Sequence, residues 1–350
     1  MQVKNRDKGR ALDQNDPTVA ARYKFNDIFA TAWLSHAVSA LANNGVPDLI
    51  SSEPACYEEI AHKANLHAPS LFRALRAAAA NGIFIEHPAG HFAHNDASLL
   101  LKSDHPYSWK GMASMWNHPS CLKGWSVFSQ CLKDGLSGIQ HAFGKTLYEH
   151  LEETPGGTLA FSDAMISNSA HPSVSIANQF PFANYELVMD LGGGIGTLLC
   201  TILQTHPHLR GMIYEIEELK KPAEQYIEAS GLATRATVEV GNFLESVPHG
   251  ADLFMVKNSL WNWSDEQCSR IMQNVREAAT GKQAQFLIIE YVIDEDNAPW
   301  TTLYDLQILN MPGGRARTVT EYESLLTENG FAIDRIEIVE DETLILAKPI

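Results

Sequence analysis

The sequence predicts an α/β fold in which a helical region precedes a doubly wound, mainly parallel sheet. Three observations predict it. From Glu186 onward, apolar runs alternate with helical patterns: LVMDLGG, MIYEI, TVEVGNF, ADLFMVKNSL and AQFLIIEYVI. The first of these runs ends in a glycine cluster that leads into a helix, the order of a strand–turn–helix unit. The last two runs, FAIDRIEIVE and TLILAKP, are joined by a short acidic turn. They read as an antiparallel hairpin that closes the sheet.

The elements follow in order. Residues 1–16 are polar and read as a mobile tail. Pro17 to about Asn43 is helical, with Ala20, Tyr23, Phe25, Ile28, Phe29, Trp33 and Leu41 covering more than one face. A helix that apolar needs cover, from its own core or from a partner subunit. Residues 45–100 have the rhythm of a winged helix. A helix at Tyr57–Ala64 is followed by one from Pro69 to about Ala80, ended by Asn81-Gly82. IFIEHPAGHFAH then reads as strand, turn and strand. Residues 98–180 are mostly helical, broken by prolines and glycines. Trp109, Trp116, Trp125, Phe128 and Phe143 fall here and suggest one wall of a substrate pocket. The expected domains are 17–180 and 181–350.

Length and composition set the outer limits. The chain has 350 residues, enough for two domains at roughly 100–200 residues each. It carries 26 basic and 42 acidic residues, a net charge of −16. Such a chain repels phosphate backbones and anionic lipid, so general nucleic-acid or membrane-surface binding is not expected. The five cysteines are widely spaced with no C-x-x-C and read as free thiols of a reducing, cytoplasmic setting. The polar first residues are not expected to be a secretory signal, and no apolar run in the sequence is long enough to span a bilayer. The 14 histidines show no zinc spacing, and no metal is expected.

The strongest motif is Asp190-Leu191-Gly192-Gly193-Gly194-Ile195-Gly196, between a predicted strand and a helix. Glycines allow a tight turn and close approach of backbone to a ligand. The dinucleotide pattern G-x-G-x-x-G fails at Thr197. The spacing fits D-x-G-x-G-x-G, the loop of S-adenosylmethionine enzymes. That cofactor has a cationic sulfonium and no pyrophosphate, and Asp190 offers it an acid. Glu215 ends the second strand, nineteen residues past Gly196, where a carboxylate accepts hydrogen bonds from a ribose diol.

At this point the sequence resembles the S-adenosylmethionine-dependent small-molecule O-methyltransferases, the group of plant caffeate-type and bacterial polyketide-tailoring enzymes. The resemblance runs through the N-terminal helices, FGKTLYEHLEETPGGTLAFSDAM, the glycine loop, GNFLESVP, NWSDEQC, LIIEYVI and PGGRART. It implies a Rossmann-like class I methyltransferase sheet behind an N-terminal helical and winged-helix dimerisation domain. It also implies a homodimer joined through the N-terminal helices. The cofactor, as S-adenosylmethionine or S-adenosylhomocysteine, would then contact Asp190, Gly192, Gly194, Glu215, Asn242, Phe243, Lys257 and Trp263. Asn242 stands where the family has Asp in G-D-F.

The catalytic positions depart from the family pattern. The resemblance assigns the general base to a histidine, and Trp261 is there, followed by Asn262. Of the two supporting glutamates, Glu290 is present and the other position holds Ala316. An indole N–H only donates, and alanine does not titrate. A positioned base contributes ~10²–10⁴-fold in rate. Trp261, Asn262, Glu290, His118 and His141 are the candidate catalytic residues. Three readings stay open. One is methyl transfer to an acceptor that needs no strong base, on a small hydrophobic or aromatic secondary metabolite. Another is a non-methylating reaction, such as pericyclic ring formation, hydroxylation or decarboxylation, that keeps the cofactor as an electrostatic element. The third is a winged-helix regulator, against which stand the net charge and a recognition helix with only Arg73 and Arg76 as cations.

Overall fold

The computed structural model describes residues 17–281, 284–294 and 298–350. The tail expected at 1–16 lies outside the described residues. The chain divides into two compact units, the first ending at Asn117 and the second running His118–Ile350. The division falls well before 180, so the helices from 118 to 179 belong with the sheet.

In the first unit, α1 (Pro17–Asn43) is followed by a short strand β1 (Ala55–Cys56), α2 (Tyr57–Ala64) and α3 (Ala68–Ala80). Strands β2 (Ile85–His87) and β3 (His91–Ala93) form the wing, and the three strands are ordered β1-β3-β2. Two short helices, α4 (Asp96–Leu99) and α5 (Lys110–Trp116), complete the unit. Leu41, Val46, Ile60, Leu71, Leu75, Phe84 and Phe92 form its core. Asn65, at φ 54°, and Gly82, at φ 82°, end α2 and the α3 turn. The carboxyl end of α1 is anchored where Ser39 Oγ donates to Ala113 O at 2.6 Å. Its upper part is bare: Tyr23, Phe25, Ile28, Phe29 and Trp33 are each 54–72% exposed.

The second unit begins with five helices: α6 (Pro119–Ser126), α7 (Phe128–Asp134), α8 (Gly138–Phe143), α9 (Leu147–Glu153) and α10 (Gly157–Gln179). The sheet strands and their crossovers follow. These are β4 (Leu187–Leu191), α11 (Thr197–Thr205), β5 (Arg210–Glu215), α12 (Glu217–Ala229), β6 (Ala236–Val240), β7 (Leu253–Lys257), α13 (Asp265–Ala278) and β8 (Gln285–Glu290). The chain closes with α14 (Ala298–Asn310), α15 (Val319–Glu328), β9 (Phe331–Val339) and β10 (Glu342–Pro349). The seven strands are ordered β6-β5-β4-β7-β8-β10-β9. The first five run parallel, and β10 pairs antiparallel with β8 and β9.

The sheet has a core on each face, which is why its central strands read as unbroken apolar runs. Ile176, Leu199, Leu203, Ile213, Met255 and Ile289 pack on one side. Phe254, Ile271, Val275, Ile288, Leu326 and Phe331 pack on the other. The strand order reverses direction between β4 and β7, and ligands of open α/β sheets bind at the carboxyl edge of such a point. Asp190, Glu215, Lys257 and Glu290 all lie at that edge. No described helix is long and apolar enough to cross a membrane.

The aromatics expected to share a pocket wall are divided among local pairs. Trp109 meets Trp116 in the first unit, and Trp125 meets Phe128 in the second. Phe143 stacks on His150.

Candidate active site

The glycine loop connects β4 to α11. Gly192, Gly194 and Gly196 have φ of 70°, 59° and 91°, the left-handed region that favours glycine. Gly193 is required for a different reason. A Cβ there would sit 2.6 Å from Asp190 Oδ2, because the loop backbone crosses directly over that carboxylate. Gly192 faces the Phe243 ring, which a Cβ would meet at 3.1 Å. At Gly194 the space is open.

Two acids stand under the loop. Asp190 is buried, and burial, reinforced by nearby Glu215 and opposed by Lys257, pushes its carboxyl up to about 7. Glu215 accepts from the Gly194 N–H at 2.9 Å and from the Ile216 N–H at 2.9 Å. Burial raises its carboxyl as well, opposed by those two backbone donors. Two desolvated carboxylates in mutual repulsion favour a cation between them.

Beside the acids lies an aromatic cluster. Trp263 stacks on Tyr148 with centroids 5.2 Å apart and planes at 16°. It meets Phe243 edge-on at 5.8 Å. Its Nε1 is buried, with no hydrogen-bond partner among the described residues. Burial raises the Tyr148 hydroxyl well above its ordinary value, and nearby Glu215 adds to the rise.

Two expected cofactor residues are otherwise engaged. The Asn242 carbonyl accepts from the Leu244 N–H at 3.0 Å, and its amide reaches Glu245 at 3.4 Å. Lys257 Nζ pairs with Glu342 Oε1 at 2.6 Å in a buried salt bridge and donates to Ser169 Oγ at 3.3 Å. Asn242 is exposed and bonds within its own turn, whereas Lys257 meets a buried partner from far along the chain.

The turn after β7 carries the position assigned to the family's base. Trp261 is only 3% exposed. Its indole stacks on Tyr291 at 5.6 Å and Tyr304 at 4.9 Å, and its Nε1 donates to Asn258 O at 2.9 Å. The ring packs as a wall, with its one polar atom used. Glu290 lies beneath the turn, wholly buried. Its Oε1 accepts from the N–H groups of Ser259, Leu260 and Trp261 at 3.0, 2.8 and 3.4 Å. Burial pushes its carboxyl up to about 8 despite those donors. At position 316 the carboxylate is contributed from elsewhere: Asp305 Oδ1 accepts from the Ala316 N–H at 2.6 Å.

The two candidate histidines have other work. His118 is exposed and caps α6, accepting from the Ser120 N–H at 3.3 Å. His141 pairs through Nε2 with Asp134 Oδ1 at 3.0 Å on the α7–α8 surface. The structure joins neither to the turn or the glycine loop. Their sequence signal was a titratable ring within the helical region, which any surface histidine also gives.

The O-methyltransferase domain family matches residues 125–332. This chain belongs to that family. The methyltransferase is 30% identical over 319 residues to the mitomycin biosynthesis 6-O-methyltransferase of Streptomyces lavendulae, covering 90% of each chain. It is 27% identical over 320 residues to the 8-amino-8-demethylriboflavin N,N-dimethyltransferase of Streptomyces davaonensis, covering 90% of this chain and 91% of that one. Among solved structures it is similar to the O-methyltransferase from neocarzinostatin biosynthesis in complex with S-adenosylmethionine and 2-hydroxy-5-methyl naphthoic acid. The TM-score is 0.76 at 26% identity, covering 90% of this chain and 96% of that chain.

S-adenosylmethionine is the family's cofactor, and the residues present fit it. The paired carboxylates suit a cationic sulfonium and ammonium. Glu215 suits a diol, and the Trp263–Phe243–Tyr148 cluster, whose buried Trp263 Nε1 has no partner among the described residues, suits a flat base. Tyr148, Tyr291, Tyr304 and Arg317 were not singled out from the sequence. Each lies inside a quoted motif or a helical pattern, but only the fold brings it to the site.

Proposed function

We propose that this methyltransferase methylates a small aromatic metabolite at an atom that is nucleophilic without help from a base. Ring nitrogens, arylamines, carboxylates and strongly acidic phenols have that property. The observation that carries the reading is Trp261, buried at the base position with its one polar atom already donating.

When bound, S-adenosylmethionine supplies an electrophilic methyl group. The protein's part is then to hold, orient and exclude water. Asp190 and Glu215 balance positive charge at the carboxyl edge of β4 and β5. The glycine loop lets a ligand lie close to the backbone, and Trp263 gives it a flat face. In-line placement of two bound reactants can supply ~7–11 kcal/mol of the barrier without proton transfer. A simple phenol, with a pKa of ~10, stays protonated at neutral pH. Glu290 is a poor acceptor for that proton, since burial keeps it mostly protonated there. Relatives that act on amines, such as the riboflavin-type dimethyltransferase, support this division.

The test is incubation with labelled cofactor and a panel of flat acceptors: a ring nitrogen, an arylamine, an acidic phenol and a simple phenol. S-adenosylhomocysteine should form one-for-one with methylated product for the first three. Products formed without it would replace this reading by a non-methylating one, and a preference for the simple phenol would also overturn it.

We further propose a homodimer through α1. Five large apolar side chains on one helix, each more than half exposed, exceed what a lone soluble helix presents to water. Sedimentation should give the dimer mass, and F29K with W33E should give the monomer mass.

A further inference from the structure

The turn at 259–263 is held from two directions. On its donor side, one oxygen of Glu290 takes three successive backbone N–H groups. On its acceptor side stands Arg317, whose side chain is wholly buried. Arg317 Nη1 donates to Leu260 O at 3.2 Å, and Nη2 donates to Trp263 O at 2.9 Å. Nε and Nη2 both reach Asp265 Oδ1, at 3.0 and 2.7 Å. Nη1 also returns to Arg315 O at 3.3 Å. Gly314, in the same loop, presses on the turn directly: a Cβ there would lie 2.1 Å from Trp261 O and 2.5 Å from the Asn262 carbonyl carbon.

The turn presents its two tryptophans to different partners. Trp263 stacks on Tyr148 beside Glu215, while Trp261 packs on Tyr291 and Tyr304. Arg317 and Glu290 hold the backbone from which both rings project, and so fix where each ring starts. A guanidinium suits this role because its rigid fork bonds several carbonyls at once, which a lysine cannot do.

We propose that Arg317 is a positioning residue for cofactor binding, acting through Trp263, with Glu290 as its counterpart on the donor side of the turn. Glu290 thereby works as a backbone acceptor rather than a proton carrier. A fully buried arginine that only filled space would need no such set of turn carbonyls; Leu260 O and Trp263 O are the two ends of the segment that carries both rings.

The test uses S-adenosylhomocysteine binding by calorimetry, with near-UV circular dichroism of the free protein as a second readout. R317M should remain folded by far-UV circular dichroism and lose the aromatic band of the Tyr148–Trp263 stack. Its Kd for S-adenosylhomocysteine should rise on the order of 10- to 100-fold, the value of one lost charge-assisted contact. R317K should recover part of that loss. The decisive comparison is in the W263A background, where R317M should add little, because its effect passes through Trp263. If R317M does not fold, R317K carries the same comparison. The proposal is overturned if the folded variants bind with unchanged Kd, or if R317M and W263A are additive.

Discussion

Replacing Trp261 by histidine tests the site most directly, because it restores the family's residue without its surroundings. The indole is 3% exposed and sits between Tyr291 and Tyr304. Full truncation of such a ring costs ~3–5 kcal/mol, and an imidazole retains roughly half of it. The Asn258 carbonyl also loses its donor at 2.9 Å, which adds about 1 kcal/mol. W261H should therefore be destabilised by about 2–4 kcal/mol. Urea unfolding at unchanged m measures that directly as a lower midpoint. Methylation of a simple phenol should gain little. A working base gives ~10²–10⁴-fold, but this one would lack a partner, since position 316 is alanine and Asp305 is already bonded to its backbone. An unchanged midpoint would refute the packing argument. A gain of about 100-fold or more in phenol methylation would refute the claim that the surroundings matter.

Three further outcomes are expected. G196A should lose at least about 2 kcal/mol and weaken S-adenosylhomocysteine binding, since the left-handed backbone costs ~1–2 kcal/mol and the new Cβ would meet Ile213 Cδ1 at 2.3 Å. G231A, at φ 71° with nothing within 4 Å, should show only the backbone cost and normal binding; equal behaviour of the two would remove the steric claim. Asp190 and Glu290 are raised from 3.8 and 4.5 to about 7 and about 8, so the stability they contribute is complete below pH ~4 and lost as pH rises through those values. His150, lowered mainly by burial, acts in the opposite sense, so the informative quantity is the stability of wild type minus that of D190N in the free protein. That difference should fall between pH 5 and 8, and a flat or rising difference would contradict the assignment.

Local patterns were readable and tertiary ones were not. The helix at Pro17–Asn43, the wing and all seven sheet strands were legible because periodicity, apolar runs and glycine punctuation are properties of neighbouring residues. The glycine loop and Glu215 were legible for the same reason: both lie inside one strand–turn–helix–strand unit. The ion pair of Lys257 gave no local signal because its partner, Glu342, comes from β10, far along the chain, and meets it at the same edge of the sheet. The packing of Trp261 gave no local signal because Tyr291 and Tyr304 come from two later segments. Arg317 gave no signal because in a string of letters a buried arginine is identical to a solvated one.

These particulars explain why the two halves of one site differ. The cofactor half is built from groups whose roles are set by backbone: turn glycines, a strand-end carboxylate, and a tryptophan held by its own carbonyl. Little in it can change without disturbing the loop. The acceptor half is built from side chains that pack on each other. Exchanging a base for an indole there leaves the turn intact, provided that Glu290 and Arg317 still hold it. The same clamp that secures Trp263 therefore leaves position 261 open to replacement. A change of acceptor chemistry needs only the residues around Trp261 to adjust: Tyr291 and Tyr304 meet its ring, and Asp305 bonds the backbone of Ala316.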